Sequence, residues 1–176
     1  MLLPILLGLV VLLALFLVFV ATRPAEFSIT RAAVIPASPE AVFAFVNDFH
    51  LWERWSPWAK MDPNCKNTFT GAASGVGAQF GWSGNNQVGE GHMTITASRP
   101  ARRIELDLIF SRPMKATNLT VFQFEPAPQG TRVTWTMSGR NGFVGKLFGV
   151  IINCDKMVGG QFEQGLANLT TAVSNR

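Results

Sequence analysis

Residues 93–108 read MTITASRPARRIELDL. The apolar side chains fall on odd positions in Met93–Ala97 and on even positions in Ile104–Leu108, with Arg99-Pro100-Ala101 between them as a turn. A period of two places the apolar residues on one face of each strand. The stretch therefore predicts two antiparallel strands with one face in the core and the other in water.

Similar patterns on both sides extend this pair of strands into a meander. Further strands are predicted over Phe27–Val34, around Phe80 and Trp82, over Thr117–Phe124 and over Thr131–Met137. After the first strand, Ser38 is a predicted N-cap and Pro39 takes the first helical position, which predicts a short helix to about Asn47. A second helical turn is predicted from Leu51 to Trp55, and Pro57 ends it.

The period lengthens after Gly142, where apolar residues from Phe143 to Val173 recur every three or four positions. This spacing predicts one long amphipathic helix. Five glycines interrupt it, each costing about 1 kcal/mol relative to alanine, so they serve either close packing on a sheet or a helix that bends over a ligand. The order of elements predicts an α+β domain in which a curved antiparallel sheet grips the terminal helix.

The first 21 residues form a separate segment, because no charged side chain occurs from Met1 to Ala21. A helix of this length spans about 30 Å, the thickness of a bilayer's hydrocarbon core. A cleaved signal peptide is the alternative, but no basic residue precedes the apolar run and the candidate cleavage sites are poor. The sequence therefore predicts a transmembrane anchor at 1–21, a short linker at 22–26 and one domain at 27–176.

Charge limits the range of partners and gives a weak indication of orientation. Fifteen basic and eleven acidic residues give a net charge of +4, and the basic residues are scattered without the stripe that a nucleic-acid surface shows. Arg23 and Arg31 follow the apolar segment, and the positive-inside rule then places the domain on the cytoplasmic side. Cys65 and Cys154 are compatible with free thiols or with one disulfide.

The sequence contains no catalytic or metal-binding motif that we recognise, and no cofactor or metal is expected. His50 and His92 are the only histidines, and neither belongs to a metal-ligand spacing. Strand parity turns His92 away from Met93 and toward solvent. His50 lies near Asp48 and is either an acid-base pair with it or part of an ordinary surface cap.

Aromatic residues are abundant for a domain of this size. Trp52, Trp55 and Trp58 fall within seven residues, and Trp82 and Trp135 lie on predicted strands. Some of these rings serve core packing. The three clustered tryptophans would otherwise rim an apolar cavity or sit at a bilayer interface, which tryptophan favours.

Two segments resemble the opening of the polyketide cyclase/dehydrase-like branch of the START-like (SRPBCC) superfamily, namely Ser38–Asp48 (SPEAVFAFVND) and Trp52–Trp58 (WERWSPW). Shorter pieces further along resemble the same branch: Gly75-Val76-Gly77, Trp82, Gly89-Glu90-Gly91, Thr131–Trp135 and Asp155–Gly160. The resemblance covers about residues 27 to 172. It implies a helix-grip fold, in which a seven-stranded antiparallel sheet wraps a long C-terminal helix around a deep hydrophobic cavity.

The resemblance also implies a function class. Members of the superfamily bind lipids, sterols, polyketides, isoprenoid quinones and similar molecules, only some are enzymes, and no catalytic residue set is shared. The first hypothesis is thus a membrane-anchored binding protein for a small hydrophobic ligand. Strand parity and helix face give its candidate ligand-binding residues as Trp55, Phe80, Trp82, Met93, Leu106, Phe110, Trp135, Met157 and Phe162.

Two alternatives belong to other classes. A cyclase or dehydratase would use an inward acid such as Glu90, or the His50/Asp48 pair, inside the same cavity. A membrane scaffold or protein-interaction module would present the three clustered tryptophans as an exposed patch. No protein partner is identified by the sequence.

Overall fold

Seven strands form a single antiparallel sheet in the order β1-β7-β6-β5-β4-β3-β2 in the computed structural model, which describes residues 2–175. The strands are β1 Glu26–Ile35, β2 Lys66–Gly71, β3 Ala78–Ser83, β4 Glu90–Arg99, β5 Arg103–Arg112, β6 Ala116–Ala127 and β7 Gly130–Arg140. The helices are α1 Leu2–Thr22, α2 Pro39–Asn47, the 3-10 helix η1 Phe49–Arg54, α3 Phe143–Ile151 and α4 Cys154–Ser174. The predicted α+β helix-grip architecture is confirmed.

Local sequence signals explain where the first helices begin. The Ser38 side chain accepts a hydrogen bond from the Ala41 backbone N–H at 3.3 Å, and Pro39 occupies the first turn, where its missing N–H costs nothing. Asp48 caps the next helix by accepting from the His50 backbone N–H at 2.9 Å. The two caps fix where α2 and η1 begin in the segment between β1 and β2.

The expectation of one continuous helix from Phe143 to Val173 is wrong. Ile152 has extended backbone angles (φ −117°, ψ 129°), and α4 begins anew with Asn153 as its N-cap. The Asn153 side chain accepts from the Lys156 backbone N–H at 2.9 Å, which offers the chain a local alternative to continuing the helix. The break separates the nine-residue helix α3 from α4.

The sheet has two distinct ends. Only Arg23, Pro24 and Ala25 separate α1 from the start of β1. The end of the sheet at which β1 starts is therefore called the α1 end. Because neighbouring strands are antiparallel, β3, β5 and β7 finish at this end, and β2, β4 and β6 begin there. Helices α2 and η1 follow the opposite end of β1.

Helix α4 packs on the concave face of the sheet, closest to β1. A Cβ at Gly159 would collide with the Arg31 guanidinium, and one at Gly165 would lie 2.8 Å from Cζ3 of Trp135. For these two glycines the explanation is close packing on the sheet. Arg31 Nη2 also lies 3.0 Å from Asp155 Oδ2, and its Nε lies 2.7 Å from Glu163 Oε1, which fixes α4 on β1.

Candidate functional site

The concave face consists of cross-strand rows of side chains that change character from one end to the other. Toward the far end, Ile104, Phe122 and Trp135 share one row, and all three are buried. At the α1 end, Trp82, Gly91 and Phe110 share the outermost row, and the next row contains Phe80, Met93 and Leu108. We call these two outer rows the open rows, because four of their large side chains are only half-buried: Phe80, Trp82, Leu108 and Phe110.

Aromatic rings fill the space between the far rows and α4. The Trp135 and Phe162 rings stack with centroids 4.1 Å apart and an interplanar angle of 8°. Trp55 meets Trp135 edge-on at 5.7 Å, and Phe122 lies 4.8 Å from Trp135. Such ring pairs add about 0.5 to 1.5 kcal/mol each beyond the burial of their area. We call this group, Trp55, Phe122, Trp135 and Phe162, the packed cluster.

The clustered tryptophans belong mostly to the core. Trp52 and Trp55 are buried, and their Nε1 atoms donate to the carbonyl oxygens of Val46 and Phe45 at 2.9 and 3.2 Å. The exposed tryptophan patch on which a scaffold role depends is therefore not formed. Trp58 alone is half-buried, and it lies edge-on to Trp135 at 6.0 Å.

The open rows are held in place by specific contacts. The Trp82 Nε1–H donates to the Val88 carbonyl oxygen at 3.0 Å, and its ring meets Phe110 edge-on at 5.6 Å. A Cβ at Gly91 would lie 2.7 Å from Cζ2 of Trp82, so glycine leaves room for the indole. The open rows therefore present an ordered aromatic surface at the α1 end.

The structure brings together eight of the nine predicted ligand-binding residues on the concave side. Trp55, Trp135 and Phe162 belong to the packed cluster, Met93 and Leu106 are buried beside it, and Phe80, Trp82 and Phe110 belong to the open rows. Met157 does not join them, because it is 56% exposed on α4. Ligand contacts of all nine residues remain predictions.

Two buried polar atoms have no hydrogen-bond partner among residues 2–175: Thr120 Oγ1 and Trp135 Nε1. Thr120 lies on the concave face between Leu106 and Met137. An unsatisfied buried polar group costs about 1 to 3 kcal/mol, and the indole N–H can only donate whereas the hydroxyl can donate or accept. Our sequence reasoning missed Thr120, although parity with Phe122 and Phe124 would have placed it inward.

Two open clefts lie beside η1. One, of about 240 Å³, is lined by the aromatic side chains Phe49, His50 and Phe69 and by residues 70–73 and 78–79 around the β2–β3 turn. The other, of about 410 Å³, lies between η1 and the C-terminal half of α4 and is lined mainly by polar side chains such as Arg54 and Asn168. Neither cleft is lined by any of the nine predicted residues.

The candidate acids lie outside the packed cluster. The Glu90 side chain is 44% exposed, and its Oε2 lies 3.3 Å from Arg112 Nε and accepts from Ser83 Oγ. His50 Nδ1 lies 2.8 Å from Asp48 Oδ1, which also caps η1, and the His50 ring stacks on Phe69 at the smaller cleft. His92 is exposed, as strand parity predicted.

Among residues 2–175, three side chains have perturbed pKa values. Hydrogen bonds between Arg31 and Asp155 raise the pKa of the guanidinium and lower the pKa of the carboxyl. Burial, followed by the nearby charge of Asp62, raises the pKa of the Cys65 thiol. Cys65 and Cys154 are both free thiols. None of these groups belongs to the packed cluster or the open rows.

Helix α1 is long and apolar enough to span a membrane by length and composition. Val20 in its last turn is buried, and Lys146 Nζ of α3 donates to the Ala21 carbonyl oxygen at 2.9 Å. The domain also approaches the linker, because the Asn141 backbone N–H donates to the Ala25 carbonyl oxygen at 2.8 Å. Helix α1 and the α1 end of the sheet are thus directly connected.

Solved structures similar to this one show the same fold. A protein from Mesorhizobium loti has a TM-score of 0.62 and 19% identity, covering 85% of this chain and 98% of its own. A protein from Chromobacterium violaceum has a TM-score of 0.61 and 16% identity, covering 83% of this chain and 96% of its own. The Aha1 dimer from Colwellia psychrerythraea has a TM-score of 0.60 and 18% identity, with coverages of 84% and 96%. At these identities the likeness concerns the fold alone.

Sequence comparison gives the family. No curated protein matches the chain significantly. The family model described as polyketide cyclase / dehydrase and lipid transport matches residues 26–174, which include the whole sheet, the packed cluster, the open rows and α4. The chain therefore belongs to the polyketide cyclase/dehydrase and lipid transport family, of the SRPBCC type.

Proposed function

We propose that this protein is a membrane-anchored binding protein for a small hydrophobic molecule, held between the concave face of the sheet and α4. The observation that carries the proposal is the pair of unpartnered buried polar atoms, Thr120 Oγ1 and Trp135 Nε1, behind the half-buried aromatic rings of the open rows. A ligand that is apolar over most of its surface would cover the rings of the open rows. One oxygen atom on it would give the two buried polar atoms a hydrogen-bond partner. Family membership supports binding of a hydrophobic small molecule.

Binding would be driven by removing apolar surface from water. Phe80, Trp82 and Phe110 offer ring faces and edges at the α1 end, and a ligand there would cover side chains that are now half-exposed. The ligand oxygen would accept from the Trp135 indole N–H, while the Thr120 hydroxyl would donate to it as well. Trp58 would be the gate, since its half-buried ring lies edge-on to Trp135 and Phe162 at the border of the packed cluster.

The anchor and its orientation belong to the same proposal. Helix α1 would cross the bilayer, with the domain on the cytoplasmic side. Arg23 and Arg31 on that side support this orientation through the positive-inside rule. The two free thiols are compatible with a reducing compartment. Labelling of Cys65 or Cys154 in intact cells by a membrane-impermeant reagent would contradict the cytoplasmic placement.

A matched pair of probes tests the binding site. Full-length protein in nanodiscs is titrated with 2-acetylnaphthalene and with 2-ethylnaphthalene, which share a ring system but differ in the carbonyl oxygen. We expect the acetyl compound to bind more tightly, by about fivefold or more for one hydrogen bond of about 1 kcal/mol. Thr120→Val should reduce this preference, since only the Trp135 donor is left, without abolishing binding of the ethyl compound.

Thr117→Val is the control, because Thr117 is exposed on the same strand. The preference for the acetyl compound should survive this change. If neither compound binds, and native mass spectrometry of the full-length protein finds no apolar molecule retained, the binding function is wrong. If both compounds bind equally well before any substitution, the role of the two polar atoms is wrong.

A cyclase or dehydratase activity is the second candidate, and the Asp48–His50 pair favours it. Asp48 Oδ1 engages His50 Nδ1 at 2.8 Å, which leaves Nε2 available for proton transfer at the smaller cleft. This candidate predicts that His50→Gln abolishes turnover of a polyketone substrate while leaving naphthalene binding unchanged. Loss of probe binding in the same variant would instead show that His50 supports the fold.

A further inference from the structure

Helix α3 exposes an apolar surface that nothing in the described part of the chain covers. None of its nine residues is buried, and Val144, Phe148 and Ile151 are 53%, 44% and 72% exposed. At 100° per residue these three side chains fall within about 60° of one another around the helix. Lys146 is the only charged residue in the helix, so α3 has little polar surface to present to water.

The position of α3 indicates what covers this surface. Lys146 Nζ donates to the Ala21 carbonyl oxygen at 2.9 Å, and α3 contacts the last turn of α1. Lys146 lies on the side of α3 opposite to Val144 and Phe148 at helical spacing, so the apolar face points away from α1. If α1 spans the bilayer, its last turn is at the depth of the headgroups, and α3 is held at the same depth.

Other exposed groups at the α1 end suit a lipid surface. Basic side chains are more numerous there than acidic ones, namely Arg23, Lys66, Arg112, Lys115, Arg140 and Lys146 against Glu26, Asp62 and Glu90. Glu90 is paired with Arg112, and Asp62 is buried, which reduces the exposed negative charge further. Met114, in the turn between β5 and β6, is 44% exposed at this same end. Basic and apolar side chains together match anionic headgroups above acyl chains.

We propose that α3 is an interfacial helix that inserts Val144, Phe148 and Ile151 into one leaflet and thereby turns the open rows toward the lipid. The occupant of the apolar face is the bilayer itself. The proposal rests on the membrane anchoring that we propose for α1. Its consequence is that a hydrophobic ligand exchanges between the open rows and the leaflet without crossing water.

Depth-dependent quenching tests the proposal on the full chain. Single-cysteine variants are made in a Cys65→Ser/Cys154→Ser background and labelled with an environment-sensitive fluorophore in vesicles containing phosphatidylcholine and phosphatidylglycerol. A label at Phe148→Cys should be quenched by nitroxides on the upper acyl chain and protected from a water-soluble quencher. A label at Val76→Cys is the matched control, because Val76 is apolar and 58% exposed in the β2–β3 turn at the far end of the sheet.

Each alternative outcome has a distinct meaning. If a label at Leu13→Cys in α1 is quenched by the lipid nitroxides while Phe148→Cys behaves like Val76→Cys, α1 is an anchor and the proposal for α3 is wrong. If neither the Leu13 nor the Phe148 label is quenched by lipid, the membrane anchoring itself fails. If the Phe148 label is shielded from both quenchers, a protein surface or a second copy covers α3, and the proposal is again wrong.

A functional measurement separates insertion from ligand binding. Phe148→Ser/Ile151→Ser should slow the transfer of 2-acetylnaphthalene from vesicles to the protein by roughly tenfold, since two apolar side chains no longer hold the open rows at the lipid. Affinity for the same probe in detergent micelles should not change. A loss of affinity in micelles, or an unchanged rate of transfer from vesicles, would overturn the proposal.

Discussion

The packed cluster and the open rows occupy the same concave face but use aromatic side chains in opposite ways. In the packed cluster Trp135 is covered by Phe162, Trp55 and Phe122, so its ring serves as core. In the open rows Trp82 has Phe110 and Phe80 beside it but remains half-buried. Helix α4 covers the packed cluster, whereas the open rows are covered only in part, where Phe49 of η1 lies 6.0 Å from Phe80. Loss of a ring should therefore cost more stability in the packed cluster than in the open rows.

The largest expected effect on stability comes from replacing one tryptophan in each region. Trp135→Ala should lower the free energy of unfolding by about 3 to 5 kcal/mol, because it empties a fully packed site. Trp82→Ala should cost on the order of 1 to 2 kcal/mol, since only part of its surface is removed from water. Chemical unfolding of the full chain, followed by far-ultraviolet circular dichroism, measures both. Equal losses would contradict the distinction between the two regions.

Glycines on α4 sharpen the comparison where the helix meets the cluster. Gly165→Ala should destabilise the protein by about 1 to 3 kcal/mol, because the new methyl group would lie 2.8 Å from the Trp135 ring and 3.1 Å from Pro57 Cδ. Gly160→Ala has open space and should stabilise the helix by about 0.5 to 1 kcal/mol. The loss of stability in the first variant and the gain in the second are measured as shifts in melting temperature. A gain in stability from Gly165→Ala would mean that α4 does not sit on Trp135 as described.

The unpartnered hydroxyl in the interior gives a smaller effect. Thr120→Val should raise the free energy of unfolding by about 1 kcal/mol, because it removes a buried polar group that has no partner and keeps the side-chain shape. Thr117→Val, at an exposed position of the same strand, should change stability little. Destabilisation by Thr120→Val would indicate that the hydroxyl is hydrogen-bonded in solution.

The smallest effect is the pH dependence of the link between α4 and β1. The pKa of Asp155 is lowered below its ordinary value of 3.8 by its hydrogen bonds from Arg31, so its contribution is present above that value. The contribution is lost as the pH falls through the lower pKa of the folded state. Asp155→Asn should therefore flatten the acid limb of the stability profile below about pH 4. Identical profiles for the two proteins would show that the pair adds nothing to folding.

The alternation of apolar residues and the helix-capping signals predicted most of the fold. Met93 and Ile95 are buried while His92 is exposed, as a period of two requires. Ser38 and Pro39 begin α2 as predicted, because an N-cap and a first-turn proline act through neighbouring backbone atoms. These features depend on local geometry, which the order of residues specifies directly.

The remaining features depend on contacts between distant parts of the chain. The helix break at Ile152 lies inside an uninterrupted apolar period, and only the Asn153 cap distinguishes it. Lys146 reaches Ala21 across 125 positions, so no local pattern reveals that α3 rests on α1. Strand parity and helix face selected three of the four rings of the packed cluster, Trp55, Trp135 and Phe162, as candidate cavity walls, but neither signal can tell whether facing rings leave space or fill it. That distinction is decided by packing in three dimensions.

The three residues between α1 and β1 have a mechanical consequence. Arg23, Pro24 and Ala25 form a short junction, and the Asn141–Ala25 and Lys146–Ala21 hydrogen bonds brace it from the side. We therefore expect α1 and the sheet to tilt together. If α1 spans a bilayer as we propose, a change in its tilt in a bilayer of different thickness would move the far end of the sheet and alter the angle at which the aromatic rings meet the leaflet.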